Sequence, residues 1–213
     1  MKPKLLDLFC CAGGCSMGYH LAGFEVVGVD INPQPHYPLE FHQADAMTFP
    51  LEGFDAYHAS PPCQGYSVAF SPLVGKRKEH PKLINQVRDM LSATGKPFVI
   101  ENVPGSELVD YIKLSGTMFG LSTIKERWFE VHGFELPILI PPPIPNTKGM
   151  VKTGKLVGLM AHSDYPLERC KREDMAVAYG IDWGLNRHEL RQAIPPAYTE
   201  YIGKHLLNSL EWR

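Results

Sequence analysis

The stretch Ser60-Pro61-Pro62-Cys63-Gln64-Gly65-Tyr66-Ser67 carries the side chain with the greatest chemical capacity in this sequence. Two prolines stiffen the chain just before a cysteine and a glycine follows, so the thiol of Cys63 is presented to a ligand and can serve as a covalent nucleophile. A lone cysteine is more often a small core hydrophobe; its prolines and polar neighbours weigh against that here. Glu101 offers a carboxyl for proton transfer or charge stabilisation, although a glutamate taken alone is as readily half of an ion pair. Gly13 and Gly14 permit a tight turn and close approach of backbone to a bound molecule. Asp30 falls where an α/β fold places a carboxylate to accept from ribose hydroxyls, which suits an adenosine-bearing cofactor, while Asp45 is as consistent with a helix N-cap. The glycines Gly13, Gly14 and Gly18 do not follow G-x-G-x-x-G, which disfavours a dinucleotide. No G-x4-G-K-S/T is present either, which disfavours a nucleoside triphosphate. The five cysteines Cys10, Cys11, Cys15, Cys63 and Cys170 lack paired spacing, so reduced thiols and no metal are expected, with the first three packing a tight turn.

These residues need elements to position them. Apolar runs at residues 4–9 and 25–31, separated by glycines and a short helix, predict strand, turn, helix, strand. Further strands are predicted at 41–45, 54–60 and 97–103. The spacing of Leu83, Val87, Met90 and Leu91 predicts a helix over 82–94, the crossover that a parallel sheet requires. The fold class is therefore α/β, with a mostly parallel central sheet and flanking helices. Each chemical cluster falls at a strand's carboxyl end, where such sheets gather their ligands: residues 7–14, Asp30, Asp45, 61–64, and Glu101 with Asn102. From 137 to 145 the chain is too rich in proline for a helix or central strand and is expected to run extended over the surface. Beyond it, 156–160 is read as a return to the sheet, 168–179 as a helix stopped by Gly180, and 188–210 as helical on either side of Pro195-Pro196.

With 213 residues and 44% hydrophobic content, one domain over 1–213 is expected. There is no apolar run of membrane-spanning length and no signal-peptide pattern, so a cytoplasmic protein with no membrane association is expected. The net charge of −2 provides no broad positive field, so any nucleic-acid contact must be local. Two basic patches qualify, residues 75–82 and the group Arg169, Lys171 and Arg172, although basic runs are ordinarily solvated surface.

Taken in order, Asp7-Leu8-Phe9-Cys10-Cys11-Ala12-Gly13-Gly14, Pro61-Pro62-Cys63-Gln64 and Glu101-Asn102-Val103 resemble the motifs of the DNA cytosine-5 methyltransferase family. Lys125-Glu126-Arg127 is similar to that family's arginine motif and Gln192-Ala193-Ile194-Pro195-Pro196 to its C-terminal motif, with a weaker likeness at Arg172-Glu173 and Tyr179-Gly180-Ile181-Asp182. The resemblance implies a Rossmann-like fold that binds S-adenosylmethionine and methylates carbon 5 of cytosine in DNA. It implies catalytic roles for Cys63 as nucleophile, Glu101 at the ring's N3 and amino edge, and Arg127 at the base carbonyl. For the cofactor it implies Phe9, Ala12, Gly13 and Gly14 at the donor-binding turn, Asp30 with Ile31 at the ribose, and Asp45 with Ala46 near the adenine amino group. Pro62, Leu83, Gln192 and Ala193 would complete that lining, and Asn102 would support the catalytic turn. The target base must be flipped out of the stack or be single-stranded beforehand. The segment 65–82 reads as a loop that closes over DNA, with Gln64, Ser67, Lys76, Arg77, Lys78 and Arg172 as DNA contacts.

The sequence also departs from the family. Where members insert a large target-recognition domain, this chain has a short proline-rich segment, residues 134–167, so low or short-context specificity, or a protein partner that supplies recognition, is expected. Thr123 stands near the place of the arginine motif's leading glutamine, and Arg191-Gln192 replaces a common glycine-asparagine. Such a compact chain, a monomer by expectation, would suit a phage or mobile-element enzyme, with or without a restriction partner, working in a bacterial or phage-infected cell. Two readings compete: the same chemistry on RNA or a free cytosine nucleotide, and a non-catalytic DNA-binding module that keeps the fold.

Overall fold

The computed structural model describes residues 1–66, 81–140 and 171–211. Five strands run parallel, β1 (Lys4–Leu8), β2 (Glu25–Asp30), β3 (Glu40–Gln43), β4 (Ala56–Ala59) and β5 (Phe98–Asn102). Two more, β6 (Tyr111–Leu114) and β7 (Arg127–His132), are antiparallel to their neighbours. The spatial order β3-β2-β1-β4-β5-β7-β6 makes one seven-stranded sheet. The strands predicted up to residue 103 and the helix over 82–94 are present, the latter as α2 (Ile84–Ser92). Helix α1 (Gly14–Ala22) follows β1, and the C-terminal part holds α3 (Arg172–Tyr179), α4 (Arg187–Gln192) and α5 (Pro196–Glu211). The links from β2 to β3 and from β3 to β4 contain no helix. Strands β6 and β7 carry no alternation strong enough to announce them in the sequence; β6 is only four residues at the sheet edge. The proposed strand at 156–160, Arg169, Cys170 and the rest of 141–170 lie outside the described residues, as do Ser67, Lys76, Arg77 and Lys78. Within the proline-rich stretch, Ile138 and Ile140 are almost fully exposed.

Strand pleating sorts side chains onto two faces. Leu5, Val26, Ala56, Val99 and Phe129 enter one core with α1 and α5 residues such as Tyr19, Tyr198 and Ile202. Leu6, Leu8, Val27, Tyr57 and Ile100 enter the other with Ile84, Val87 and Leu91 of α2. A third cluster joins Met175 and Tyr179 of α3, Leu190 of α4, and Ala12. The same period of two places Asp7, Asp30, His58, Glu101 and Arg127 on the α1–α5 face, each at or near the end of its strand where the parallel strands stop. From β1 the chain steps outward to β2 and β3, then crosses back to β4 on the other flank. The crevice between the ends of β1 and β4 is thus the switch point at which an open α/β sheet binds its ligands.

Candidate active site

At that crevice lies a cavity of about 330 Å³. Asp30 and Ile31 line it beyond β2, Ser60, Pro62, Cys63, Gln64, Glu101 and Arg127 line it on the side of β4, β5 and β7, and Phe9, Gly14, Gln192 and Ala193 complete the lining. Cys10, Cys11, Cys15, Asn32, Gln34 and Arg191 also reach it, none of which the motif reading had assigned. Among the described residues, no group of three or more metal-ligating side chains is gathered.

The turn after β1 is tightly wound, with left-handed backbone at Phe9, Cys11 and Gly13. For the two non-glycine residues that conformation is costly and is retained where surrounding bonds enforce it; Cys10 N–H donates to Val29 and Cys11 N–H to the Asp30 carboxylate at 3.1 Å. The glycines answer to the protein's own chain. A Cβ on Gly13 would meet Pro38 Cδ at 2.7 Å, and one on Gly14 would meet the Ile194 carbonyl oxygen at 2.3 Å. Asp30 also accepts from the Asn32 backbone at 2.9 Å, and a carboxylate has lone pairs left for a further donor. Next to it Ile31 is exposed, an apolar surface beside a carboxylate. That combination suits the adenine and ribose of an adenosyl group.

On the side of β5 and β7, Arg127 Nε lies 3.1 Å from Glu101 Oε1, both largely buried. Strand β7 runs antiparallel beside β5 with Glu101 opposite Phe129 and Asn102 opposite Trp128, so Arg127, two residues from Phe129 on the same face, lies diagonally across from Glu101. Burial pushes the Glu101 carboxyl up from its usual range, while Arg127, the Ser60 hydroxyl and Lys125 pull the other way. Burial and the charge of Glu101 likewise push the Cys63 thiol up, opposed by Arg127 and Lys125. The turn bearing Cys63 is pinned from the sheet: Asn102 Nδ2 donates to the Pro61 carbonyl at 2.9 Å.

Lys125 was unforeseen. Fully inside the protein, its Nζ donates to the carbonyls of Arg191, at 3.0 Å, and Ala193, and lies 4.9 Å above the Tyr179 ring, and burial pushes it well below the usual lysine range. It therefore ties the approach to β7 to the segment after α4 that walls the cavity. A lysine between Ile124 and Glu126 gives no such signal in the sequence.

Other expected site residues are placed elsewhere. Ala12 and Gly13 do not line the cavity; Ala12 is buried, with its carbonyl accepting from Trp183 Nε1 at 3.2 Å. Asp45 is exposed, does not line the cavity and accepts from the Met47 backbone at 2.9 Å, a turn cap, while Ala46 and Leu83 pack into the α2-side core. Arg172 donates to the Leu185 carbonyl at 2.7 Å and pairs with Glu173, so the fold itself engages it.

The model of the C-5 cytosine-specific DNA methylase family matches residues 3–110, half of the chain. The chain belongs to the C-5 cytosine-specific DNA methylase family. The family match spans the turn after β1, Asp30, Cys63 and Glu101. Among curated relatives, the type II methyltransferase M.AquIA of Picosynechococcus sp. is 32% identical over 130 residues, which is 49% of this chain and 50% of that protein. The type II methyltransferase M.XorII of Xanthomonas oryzae pv. oryzae is 24% identical over 225 residues, 84% of this chain and 51% of that one. The chain thus spans about half the length of the curated relatives it matches. The fold resembles the Dnmt2 methyltransferase of S. pombe, with a TM-score of 0.66 and 14% identity over 99% of each chain. It also resembles a prophage-encoded E. coli protein described as a DNA modification methyltransferase, with a TM-score of 0.62 and 17% identity over 99% of this chain and all of that one. No helix among the described residues is long and apolar enough to cross a membrane.

Proposed function

We propose that this chain methylates carbon 5 of cytosine in DNA, with Cys63 as transient nucleophile and S-adenosylmethionine as methyl source. The observation that carries this reading is the convergence of Cys63, Glu101 and Arg127 on one side of a cavity that Asp30 and Ile31 line beyond β2. Carbon 5 of cytosine is too poor a nucleophile to take a methyl group unaided. Addition of the Cys63 thiolate to carbon 6 converts the ring to an enamine and makes carbon 5 electron-rich. Glu101 meets the N3 and amino edge, where its protonated form gives its proton to N3 as the thiolate adds, and Arg127 meets the carbonyl oxygen, so the negative charge developing on the ring is stabilised where it forms. When bound, S-adenosylmethionine supplies an electrophilic methyl on its sulfonium. Asp30 holds the ribose, Ile31 covers the adenine, and the wall from Arg191 to Ile194 completes that lining. After alkylation, water takes the proton from carbon 5 and the Cys63–carbon 6 bond breaks with its electron pair returning to sulfur, which restores the ring's double bond and the thiolate while the N3 proton returns to Glu101.

The base reaches this crevice only when unstacked, so a flipped or single-stranded cytosine is the substrate form. Recognition over a short context, or by a protein partner, follows from the small interval at 134–167. Tritium release from DNA labelled at carbon 5 of cytosine tests the reaction. Release from duplex or single-stranded DNA that depends on the methyl donor is expected, and silence on both overturns it. DNA containing 5-fluorocytosine should trap a denaturation-resistant adduct that Cys63→Ala abolishes.

A further inference from the structure

The Glu101 carboxylate is the end point of a buried chain of hydrogen bonds that begins on α1. Tyr19 Oη lies 3.0 Å from His58 Nδ1, and His58 Nε2 lies 3.0 Å from Ser60 Oγ. The register of β4 on β5, with Ala59 opposite Ile100, sets Ser60 beside Glu101 on the same face and both line the cavity, where the Ser60 hydroxyl favours the charged form of the Glu101 carboxyl. Tyr19 and His58 have no exposed surface, and Ser60 lines the cavity between them and the reacting groups.

The direction of every proton in this chain follows from what each group can give. An ionised carboxylate only accepts, so Ser60 donates its single proton to Glu101. Cys15 is also within reach of Ser60, but a neutral thiol is a weaker acceptor than a carboxylate. The Ser60 oxygen is then free to accept, which makes His58 Nε2 the protonated ring nitrogen. Nδ1 is left bare and accepts from Tyr19. A neutral ring is what the surroundings enforce, since burial pushes the His58 imidazole down to about 3. All donors thus point one way, toward Glu101.

We infer that His58 and Ser60 are positioning residues that fix the orientation of the Glu101 carboxylate toward the base. The inference rests on the proposed role of Glu101 at the cytosine edge. Neither residue touches the ring; both act through Glu101. The other groups facing Glu101 are Arg127 and Lys125 from β7 and its approach, Cys63 from the turn after β4, Asp7 from β1, and Cys11 and Cys15 from the turn and α1. All of these are retained when Ser60 or His58 is replaced, so a change at Glu101 reports the lost hydrogen bond.

The test reads Glu101 directly, by carboxyl carbon NMR of protein labelled at glutamate, with Glu101→Gln identifying the signal. In Ser60→Ala the Glu101 titration is expected at higher pH than in the wild type, because a donor to the charged form is gone. His58→Gln places an amide donor near the former Nε2 and should preserve the wild-type titration. His58→Asn reaches only the Nδ1 position and should reproduce the Ser60→Ala shift. In tritium release, Ser60→Ala and His58→Asn should lower kcat roughly tenfold, the scale of a lost hydrogen bond to a charged group, with the KM for DNA little changed. An unshifted titration in Ser60→Ala, or equal losses in the glutamine and asparagine variants, overturns the inference. If the histidine variants do not fold, Ser60→Ala, which removes one oxygen beside a cavity, decides it alone. Full turnover in Glu101→Gln overturns the base-edge role itself, whatever the titrations show.

Discussion

Cys63 is not activated in the resting protein. Burial and the nearby Glu101 raise its thiol above the ordinary range, and Arg127 and Lys125 only partly offset them. Since the thiolate is the nucleophile, its alkylation by iodoacetamide should be slow at neutral pH and climb about tenfold per pH unit until the thiol ionises. Arg127→Met removes a cation that favours the thiolate, so it should slow alkylation further at any fixed pH below that point. Mass spectrometry of the Cys63 peptide checks both; equal rates with and without Arg127 would contradict the electrostatic account. Cys10, Cys11 and Cys15 are raised further still by burial, so modification should begin at Cys63 among these four.

At the level of elements, the cavity is held between segments distant in sequence, and two residues set their spacing. Lys125 grips the carbonyls of Arg191 and Ala193, while the absence of a side chain at Gly14 allows α1 to approach the Ile194 backbone. Lys125→Met should weaken binding of the methyl donor roughly tenfold by calorimetry, because two carbonyls lose a charged donor and the wall relaxes. Overall stability should change less, since burying an ammonium already carries a desolvation cost that methionine avoids. Gly14→Ala should destabilise by about 2–4 kcal/mol in denaturant unfolding, because the obstructing atom is backbone and cannot rotate away. Tyr37 anchors the opposite wall: its hydroxyl donates to Ser16 at 2.7 Å, and Ser16 donates to Asp7.

For the whole molecule, two buried groups give stability opposite dependences on pH. His58, pushed down to about 3 by burial against an ordinary 6.5, stays neutral when folded, so its contribution is complete above 6.5 and is lost as pH falls toward 3. Asp7, raised by burial to about 7 from 3.8, contributes fully below 3.8 and loses that contribution as pH rises through 7. Each spans about three units, on the order of 4 kcal/mol over its window. The two windows overlap between pH 3.8 and 6.5, so the opposite slopes largely cancel there in the wild type. Urea unfolding of Asp7→Asn between pH 4 and 8 should therefore reveal the unopposed His58 slope, with stability falling as pH drops below 6.5, and an Asp7→Asn profile as flat as the wild type's would overturn this assignment.

Much of this was legible in the sequence, for reasons that are local. Alternation in residues 4–8, 25–30 and 98–102 sets which side chains share a face, and prolines 61 and 62 shape the turn that presents Cys63; these depend only on neighbours along the chain. The ends of β1, β2, β4 and β5 consequently held the cluster expected of them. Which strand lies beside which depends on contacts between residues far apart, and only the folded chain decides it. The insertion of β7 between β5 and β6 sets Arg127 against Glu101, and α4 and its following turn come back over Gly14 to close the cavity. The same long-range packing selects Lys125, whose motif gives no hint of such a role, and His58, which belongs to no motif, to hold the site together. Burial confers those roles, and burial is a property of the assembled core, not of any short stretch of sequence.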